Sequence, residues 1–327
     1  MGRCYVARVT NLLIAAVGAI LATNPPAAVS NLVYERSGVE ITISTNDPVD
    51  RALQKLMEQD DAARVAVEKL VEDNERFAAQ NAGLTRFELR RRIMEKFEPV
   101  KKGYEDLIQQ HTNRSDIRIA YASFLGDLGD EEAAIEQLEV ARTMDTNNPA
   151  IWNNLANLYG HNGEVKKSFE YYAKAIELDP NEPVYYHNYG TTVFLFRKDG
   201  KEYFGLDEQQ IFDKALGLYS NAMRLDPEDF QLAADVAQTF YGIQPFRPDE
   251  ALRAWTNAFN LARDDEERAG VNLHFARINI KAERLDVAEA HLNSVTNQSH
   301  LEVKRRLTRV LSEAREAAAT NAPAAPK

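Results

Sequence analysis

Catalytic chemistry needs nucleophiles, acid–base groups or metal ligands at short, repeated spacings, and this chain offers few. Its six histidines, His111, His161, His187, His274, His291 and His300, are dispersed, with no second histidine at i+3 or i+4. No His-Glu-x-x-His pair, Gly-x-Ser-x-Gly elbow or phosphate-binding glycine loop is present. The one cysteine, Cys4, excludes a disulfide framework and a cysteine-based zinc site. The expectation is therefore no catalytic residue, no metal and no cofactor. The chemistry that remains is recognition. It is densest in "FLFRKDGKEYFGLDEQQIF", residues 194–212, where Phe196, Arg197, Lys198, Tyr203 and Phe204 cluster. Tyr, Phe and Arg are the side chains enriched at protein interfaces.

The elements that position such groups follow from composition and period. The chain has 327 residues, 44% hydrophobic and 27% charged, with a formal charge of -11. That charge argues against nucleic acid, whose phosphates demand clustered Lys and Arg. Only 15 glycines and 12 prolines interrupt many Ala, Leu, Glu and Lys, which favours helices throughout.

Residues 1–30 open with Arg3 and Arg8, continue in an 11-residue apolar run over 12–22 and end in prolines and small residues. This is the layout of a secretory signal peptide, with cleavage expected near Ser30. Loss of the two arginines would take the charge to -13. The expected location is periplasmic; the alternative is a membrane anchor through an uncleaved segment. Apart from that case, no membrane contact is expected.

The internal period is 34. Units starting at Ser115, Pro149 and Pro183 are spaced by that step. The middle unit places Trp152, Leu155, Ala156 and Tyr159 at positions 4, 7, 8 and 11, one stripe of a helix. It continues with Gly163, Ser168, Tyr172, Ala175 and Pro180 at positions 15, 20, 24, 27 and 32. This pattern closely resembles the tetratricopeptide repeat. The first unit carries Tyr121, Ala122, Leu125, Gly129, Ala134, Leu138 and Ala141, but Arg118 and Thr146 replace the Trp and the closing Pro. The third carries Tyr186, Tyr189, Gly190 and Val193, and resumes with Ala215, Tyr219, Ala222 and Pro227. A fourth begins near Phe230 and a fifth near Ala269. The resemblance implies an all-α, right-handed superhelical solenoid of antiparallel helix pairs. In that setting Trp152 is expected as a buried knob.

The resemblance also implies a concave groove lined by the first helix of each pair. Its positions here hold Asn153, Asn154 and Asn157, then His187, Asn188 and Thr191. Side-chain amides both donate and accept, so a row of them suits the backbone of an extended peptide. The alternative is that Asn is an ordinary solvated residue there. The basic clamp of the family's chaperone-tail binders is absent: Asn157 and Asn188 match its two amides, but Asn153 replaces a lysine and Gln231 and Asp235 occupy the partner positions.

Pro180 and Pro227 close successive units 47 residues apart, so 13 residues are added to the third unit. A smaller addition, "GIQPFRPDE", occupies the same turn of the fourth, which would bring Phe246 and Arg247 beside the cluster at 196–204. The plainer reading is a longer helical hairpin, with Asp199-Gly200 turning the first helix and Asp207 with Gln210 capping the second. The sharper one is an aromatic, basic contact edge.

The expected organisation is a signal peptide at 1–30 and a flexible leader at 31–47. An N-terminal helical region with a degenerate repeat or cap follows at 48–114. The repeat array spans 115–298, a capping helix 299–318 and a disordered tail 319–327. In the helical region, Gly83 is expected to stop a first helix, Thr85 to Glu88 to cap a second, and Pro99 to interrupt it. The functional expectation is a non-enzymatic scaffold that binds an unknown protein or peptide through the groove, the edge or both. The alternatives are self-assembly through the N-terminal helix or end caps, and a groove that acts on a substrate or carbohydrate.

Overall fold

The computed structural model describes residues 47–321, so the signal-peptide reading and all of the leader before Asp47 lie outside the described residues. Within them are fourteen α-helices, one short 3-10 turn and no strand. None of these helices is long and apolar enough to cross a membrane. The fold is all-helical and tetratricopeptide-like. It divides into two compact units, one ending at Thr192 and the other beginning at Val193.

The first unit opens with two long helices, α1 (Pro48–Ala78) and α2 (Arg86–Gln110). Asp47 caps α1, its carboxylate accepting from the Val49 amide at 2.8 Å, and Pro48 occupies the first helical position. Thr85 and Glu88 form the expected capping box on α2. Two expectations need correction. The left-handed residue after α1 is Asn81, with φ +59, and not Gly83. Gly83 is needed for close approach, since a Cβ there would stand 2.7 Å from Ala78 Cβ. Pro99 does not interrupt α2, which runs through it as one helix. Neighbouring turns and the buried stripe of Ile93, Phe97, Val100 and Tyr104 hold the helix together across the missing N–H. The region is thus a long hairpin, with no degenerate helix pair inside α2.

Asp60 and Arg64 on α1 sit inside this hairpin. Arg64 donates to Asp60 at 2.9 Å and pairs with Asp127 at 3.1 Å. Burial raises the Asp60 pKa against the pull of Arg64.

Two helix pairs and a fifth helix follow. They are α3 (Ser115–Asp127) with α4 (Glu131–Met144), α5 (Pro149–His161) with α6 (Val165–Leu178), and α7 (Pro183–Leu195), whose last turn enters the second unit. Gly129 and Gly163 make the turns within the first two pairs at φ +78 and +88. Ala134, Ala141, Ala156 and Ala175 are buried, as the small-residue positions require. Trp152 departs from expectation: it is only half-buried. Its indole N–H donates to the Thr146 carbonyl at 2.9 Å, its ring meets Tyr171 edge-on, and Arg142 lies 5.2 Å above it. The fully covered aromatics of this repeat are Phe169 and Tyr172.

The second unit contains α8 (Arg197–Phe204), α9 (Glu208–Leu225), α10 (Phe230–Thr239), α11 (Pro248–Leu261), α12 (Asp265–Lys281), α13 (Leu285–Ser294) and α14 (Leu301–Asn321). Phe212, Ala237, Phe240, Trp255, Phe275 and Ile278 form its main core. Leu307 and Leu311 of α14 cover Ala269, Leu273, Ala276 and Leu292, so this helix caps the array through one apolar stripe. Residues 319–321, expected in a disordered tail, continue α14, whose alanines favour the helix and whose Thr320 hydroxyl donates to the Glu316 carbonyl at 3.1 Å.

Candidate functional site

The six groove residues lie in the first unit on α5 and α7, and three of them join in one amide ladder. Asn188 Nδ2 donates to Asn153 Oδ1 at 3.2 Å, and Asn153 Nδ2 donates to Asn154 Oδ1 at 3.3 Å. Asn153 has 0% exposure, so it is a corrected assignment: it links two consecutive repeats and is not open to a ligand. Asn154 and Asn188 are half-buried and retain polar capacity. Asn154 keeps its N–H donors, and Asn188 keeps its side-chain oxygen as an acceptor.

Asn157 is held differently. The buried Tyr172 hydroxyl donates to its side-chain oxygen. Thr192 backs this pair, with its Oγ1 3.2 Å from the Tyr172 oxygen and 2.9 Å from the Asn188 carbonyl. His187 and Thr191 are half-buried and engaged with neighbouring groups. Tyr172 and Thr192 were not among the sequence candidates. Tyr172 sits on the second helix of its pair, where its period marks it only as core; the hydroxyl on a core aromatic was the available signal.

Elsewhere in the first unit, Glu139 on α4 gathers several partners. It accepts from Tyr159 at 2.6 Å and from Arg142 at 2.7 Å, with Lys167 at 3.7 Å. Burial pushes its pKa up, but the Tyr159 hydroxyl and the Arg142 guanidinium outweigh it, and the carboxyl is held below its ordinary value. This cluster ties α4 to α5 and α6.

The insertion lies in the second unit and is a third helix. α7 ends at Leu195, α8 follows, and Gly205 turns the chain at φ +66. Asp199-Gly200 is therefore inside α8 and not a turn. Gly200 is buried, where a Cβ would stand 3.3 Å from Ile211 Cδ1. Asp207 and Gln210 form the expected capping box on α9. The aromatics divide: Phe196 precedes α8 and is half-buried, while Tyr203 and Phe204 meet edge-on at 4.8 Å. Lys214 lies 4.3 Å over the Phe204 ring, and Tyr203 is 38% exposed.

The two additions do meet, but through polar groups. Arg247 donates to Asp213 and to Gln209, both at 2.7 Å. Phe246 makes no ring-to-ring contact among the described residues; it lies 4.1 Å below Lys281 Nζ. Arg197 pairs with Glu208 at 3.3 Å, and Lys198 is exposed. Two of the three cations expected to mark the edge are thus engaged in holding α8, α9 and the 244–247 turn. Among the described residues, no group of three or more His, Cys, Asp or Glu is placed to hold a metal.

Residues 149–182 match the tetratricopeptide repeat. Together with the helical fold this defines the class: an all-helical, tetratricopeptide-like protein that carries this repeat at residues 149–182. It is similar to the Photosystem I assembly protein Ycf3 of Synechococcus sp. (strain CC9605), with 32% identity over 106 residues, 30% of this chain and 60% of that protein. A second Ycf3, from Prochlorococcus marinus subsp. pastoris (strain CCMP1986 / NIES-2087 / MED4), is 40% identical over 78 residues, 23% of this chain and 43% of that protein. The matches therefore span less than two thirds of these relatives. Among solved structures, pilF of Pseudomonas aeruginosa is similar at 14% identity, over 78% of this chain and 99% of that one, with a TM-score of 0.48.

Proposed function

We propose that this protein is a non-enzymatic scaffold that holds another polypeptide in extended form along the first helices of its repeats. The observation that carries this is the amide ladder. Asn153 fixes Asn154 and Asn188 to each other across two repeats. The unused Asn154 donors and the unused Asn188 acceptor then face the needs of a peptide group, which has one C=O and one N–H. Such a surface recognises backbone and tolerates varied side chains. Repeat solenoids use surfaces of this kind for binding.

The curated relatives are named as assembly proteins. On that likeness, the role proposed here is to assist the assembly of other polypeptides. The basic and apolar opening of residues 1–30 supports export as part of the proposal, with the periplasm as the place of action. External protease should reach the protein only after the outer membrane is permeabilised.

The binding claim is tested with capped, uncharged 12-residue peptides and the full chain. The wild type should bind them, and the double variant Asn154→Ala/Asn188→Ala should bind at least tenfold more weakly. Backbone N-methylation of the peptide should cause a similar loss. Equal binding by wild type and double variant sinks the groove reading.

A further inference from the structure

The turn of the N-terminal hairpin carries apolar side chains that the fold does not cover. Phe87, in the first turn of α2, is 78% exposed; Phe77, in the last turn of α1, is 46% exposed; Met94, on α2, is 37% exposed. None of the three belongs to the core that Leu89, Ile93, Phe97 and Val100 form. The reason lies in the helix period. Those four residues make the inward stripe of α2, while Phe87, Arg90, Arg91 and Met94 recur at i, i+3, i+4 and i+7 on the outward one. All four outward residues are exposed.

The same stretch is basic on an acidic chain. From Arg86 to Lys96 stand five cations, Arg86, Arg90, Arg91, Arg92 and Lys96, against two carboxylates, Glu88 and Glu95. Both carboxylates have local partners. Glu88 is folded back onto Thr85, accepting from its amide at 3.1 Å and from its hydroxyl at 2.7 Å. Glu95 stands 3.7 Å from Arg91. Among the described residues, Arg86 and Arg90 pair with no carboxylate. The helix end itself is not the attractant, because the Thr85–Glu88 box closes it. The attractant is a three-turn stripe on which exposed apolar side chains alternate with uncompensated guanidinium groups.

We propose that this hairpin tip is a docking surface for an anionic lipid membrane, with Phe87 and Met94 entering the headgroup region and the arginines taking lipid phosphates. A helix face that combines aromatic and basic side chains is suited to the membrane interface. A guanidinium matches phosphate oxygens in pairs, and its stem lies along apolar surface while its head stays at the phosphates. A second copy of this chain fits less well, since a two-fold axis through the stripe would set its arginines against each other. A folded acidic partner would need a pocket for each projecting side chain, whereas a fluid headgroup layer admits them without one. The contact is interfacial: no described helix is long and apolar enough to cross a membrane. It departs from the sequence expectation of no membrane contact. The tip contains none of the amide-ladder residues, so peptide binding and membrane docking stand or fall separately.

The test places a reporter on the tip of the full-length chain. Phe87→Trp puts an indole at the most exposed of these positions, and its emission is read against the wild type, in which Trp152 and Trp255 supply the background. Vesicles of brominated phosphatidylcholine with about 30% phosphatidylglycerol should shift that emission to the blue and quench it, saturably. Binding should be about tenfold or more tighter than to phosphatidylcholine alone. It should weaken at about 0.5 M NaCl, where surface charge is screened. Adding Arg86→Gln and Arg90→Gln should reduce the affinity about fivefold or more, with unchanged circular dichroism and melting as the control for folding. Quenching reports on position 87 itself, so attachment through residues 1–30 does not imitate this dependence. The proposal is overturned if anionic vesicles leave the position-87 emission unmoved, if neutral vesicles act equally, or if the folded Gln variant binds like its parent. A polyglutamate peptide that moves the emission at a lower charge concentration than the vesicles would assign the tip to an acidic protein and overturn the lipid reading equally.

Discussion

Asn188 donates its side-chain amide to Asn153 at 3.2 Å, so that a buried residue of one repeat is bonded to a half-buried residue of the next. The bond separates two roles that the residue type alone leaves merged. Asn153 is structural, and Asn154 and Asn188 are held in register by it. Replacement of Asn153 by Ala leaves the Asn188 amide and the Asn154 oxygen without their partner, and should cost about 1–3 kcal/mol. Asn154→Ala and Asn188→Ala each break one of the two bonds to the buried Asn153 amide and should each cost less than Asn153→Ala, which breaks both and empties a buried site. Urea unfolding followed by circular dichroism measures both. An Asn153→Ala variant as stable as Asn154→Ala would remove the distinction.

The two tryptophans should differ in weight. Trp255 is enclosed in the core of the second unit, and its truncation to Ala is expected to cost about 3–5 kcal/mol. Trp152 is half-buried and held by one hydrogen bond, one edge-on ring and one cation. Trp152→Ala should cost about 1–3 kcal/mol, since less apolar area returns to water. Thermal and urea unfolding of the two variants decide the order, and a larger loss at Trp152 would contradict it.

Acid should weaken the first unit through Glu139. Its folded pKa lies below the unfolded value because Tyr159 and Arg142 favour the charged form more than burial opposes it. A depressed carboxylate contributes stability that is fully present above the unfolded pKa, about 4.3, and is lost as pH falls through the folded pKa. Between pH 6 and 3 the wild type should lose stability more steeply than Glu139→Gln. Parallel pH profiles would show that the cluster carries no such linkage.

Gly205 and Gly217 flank and occupy α9 and should respond in opposite directions. Gly205 has φ +66, so an Ala there is strained and should cost about 1–2 kcal/mol. Gly217 is exposed inside the helix with nothing within 4 Å of a new Cβ. Gly217→Ala should stabilise by about 0.5–1 kcal/mol, through reduced unfolded-state freedom. Two melting curves test the pair, and a stabilising Gly205→Ala would place the α8–α9 turn elsewhere.

Much of this fold was legible as pattern. Ala156, Ala175 and Ala222 are fully buried at the positions the 34-residue period assigns them, and the Thr85–Glu88 and Asp207–Gln210 caps form as spaced. Such features arise from contacts within a few residues or one turn, which spacing expresses directly. Among the misread positions were Pro99, Asp199-Gly200 and Trp152. Each is a residue whose local preference was overridden or relocated by what packs beside it.

The identity of the repeat and the helical class reside in the order of residues, because helix period, caps and small-residue crossings are set along the chain. The use of each polar group does not. Whether Asn153 faces water or the next helix, and whether Arg247 is spent on Asp213, depends on which residues 30 or more positions away come within hydrogen-bond distance. Hydrogen bonds and ion pairs vanish over an ångström or two of separation. Only the packed helices settle that distance, and with it which side chains remain for a partner.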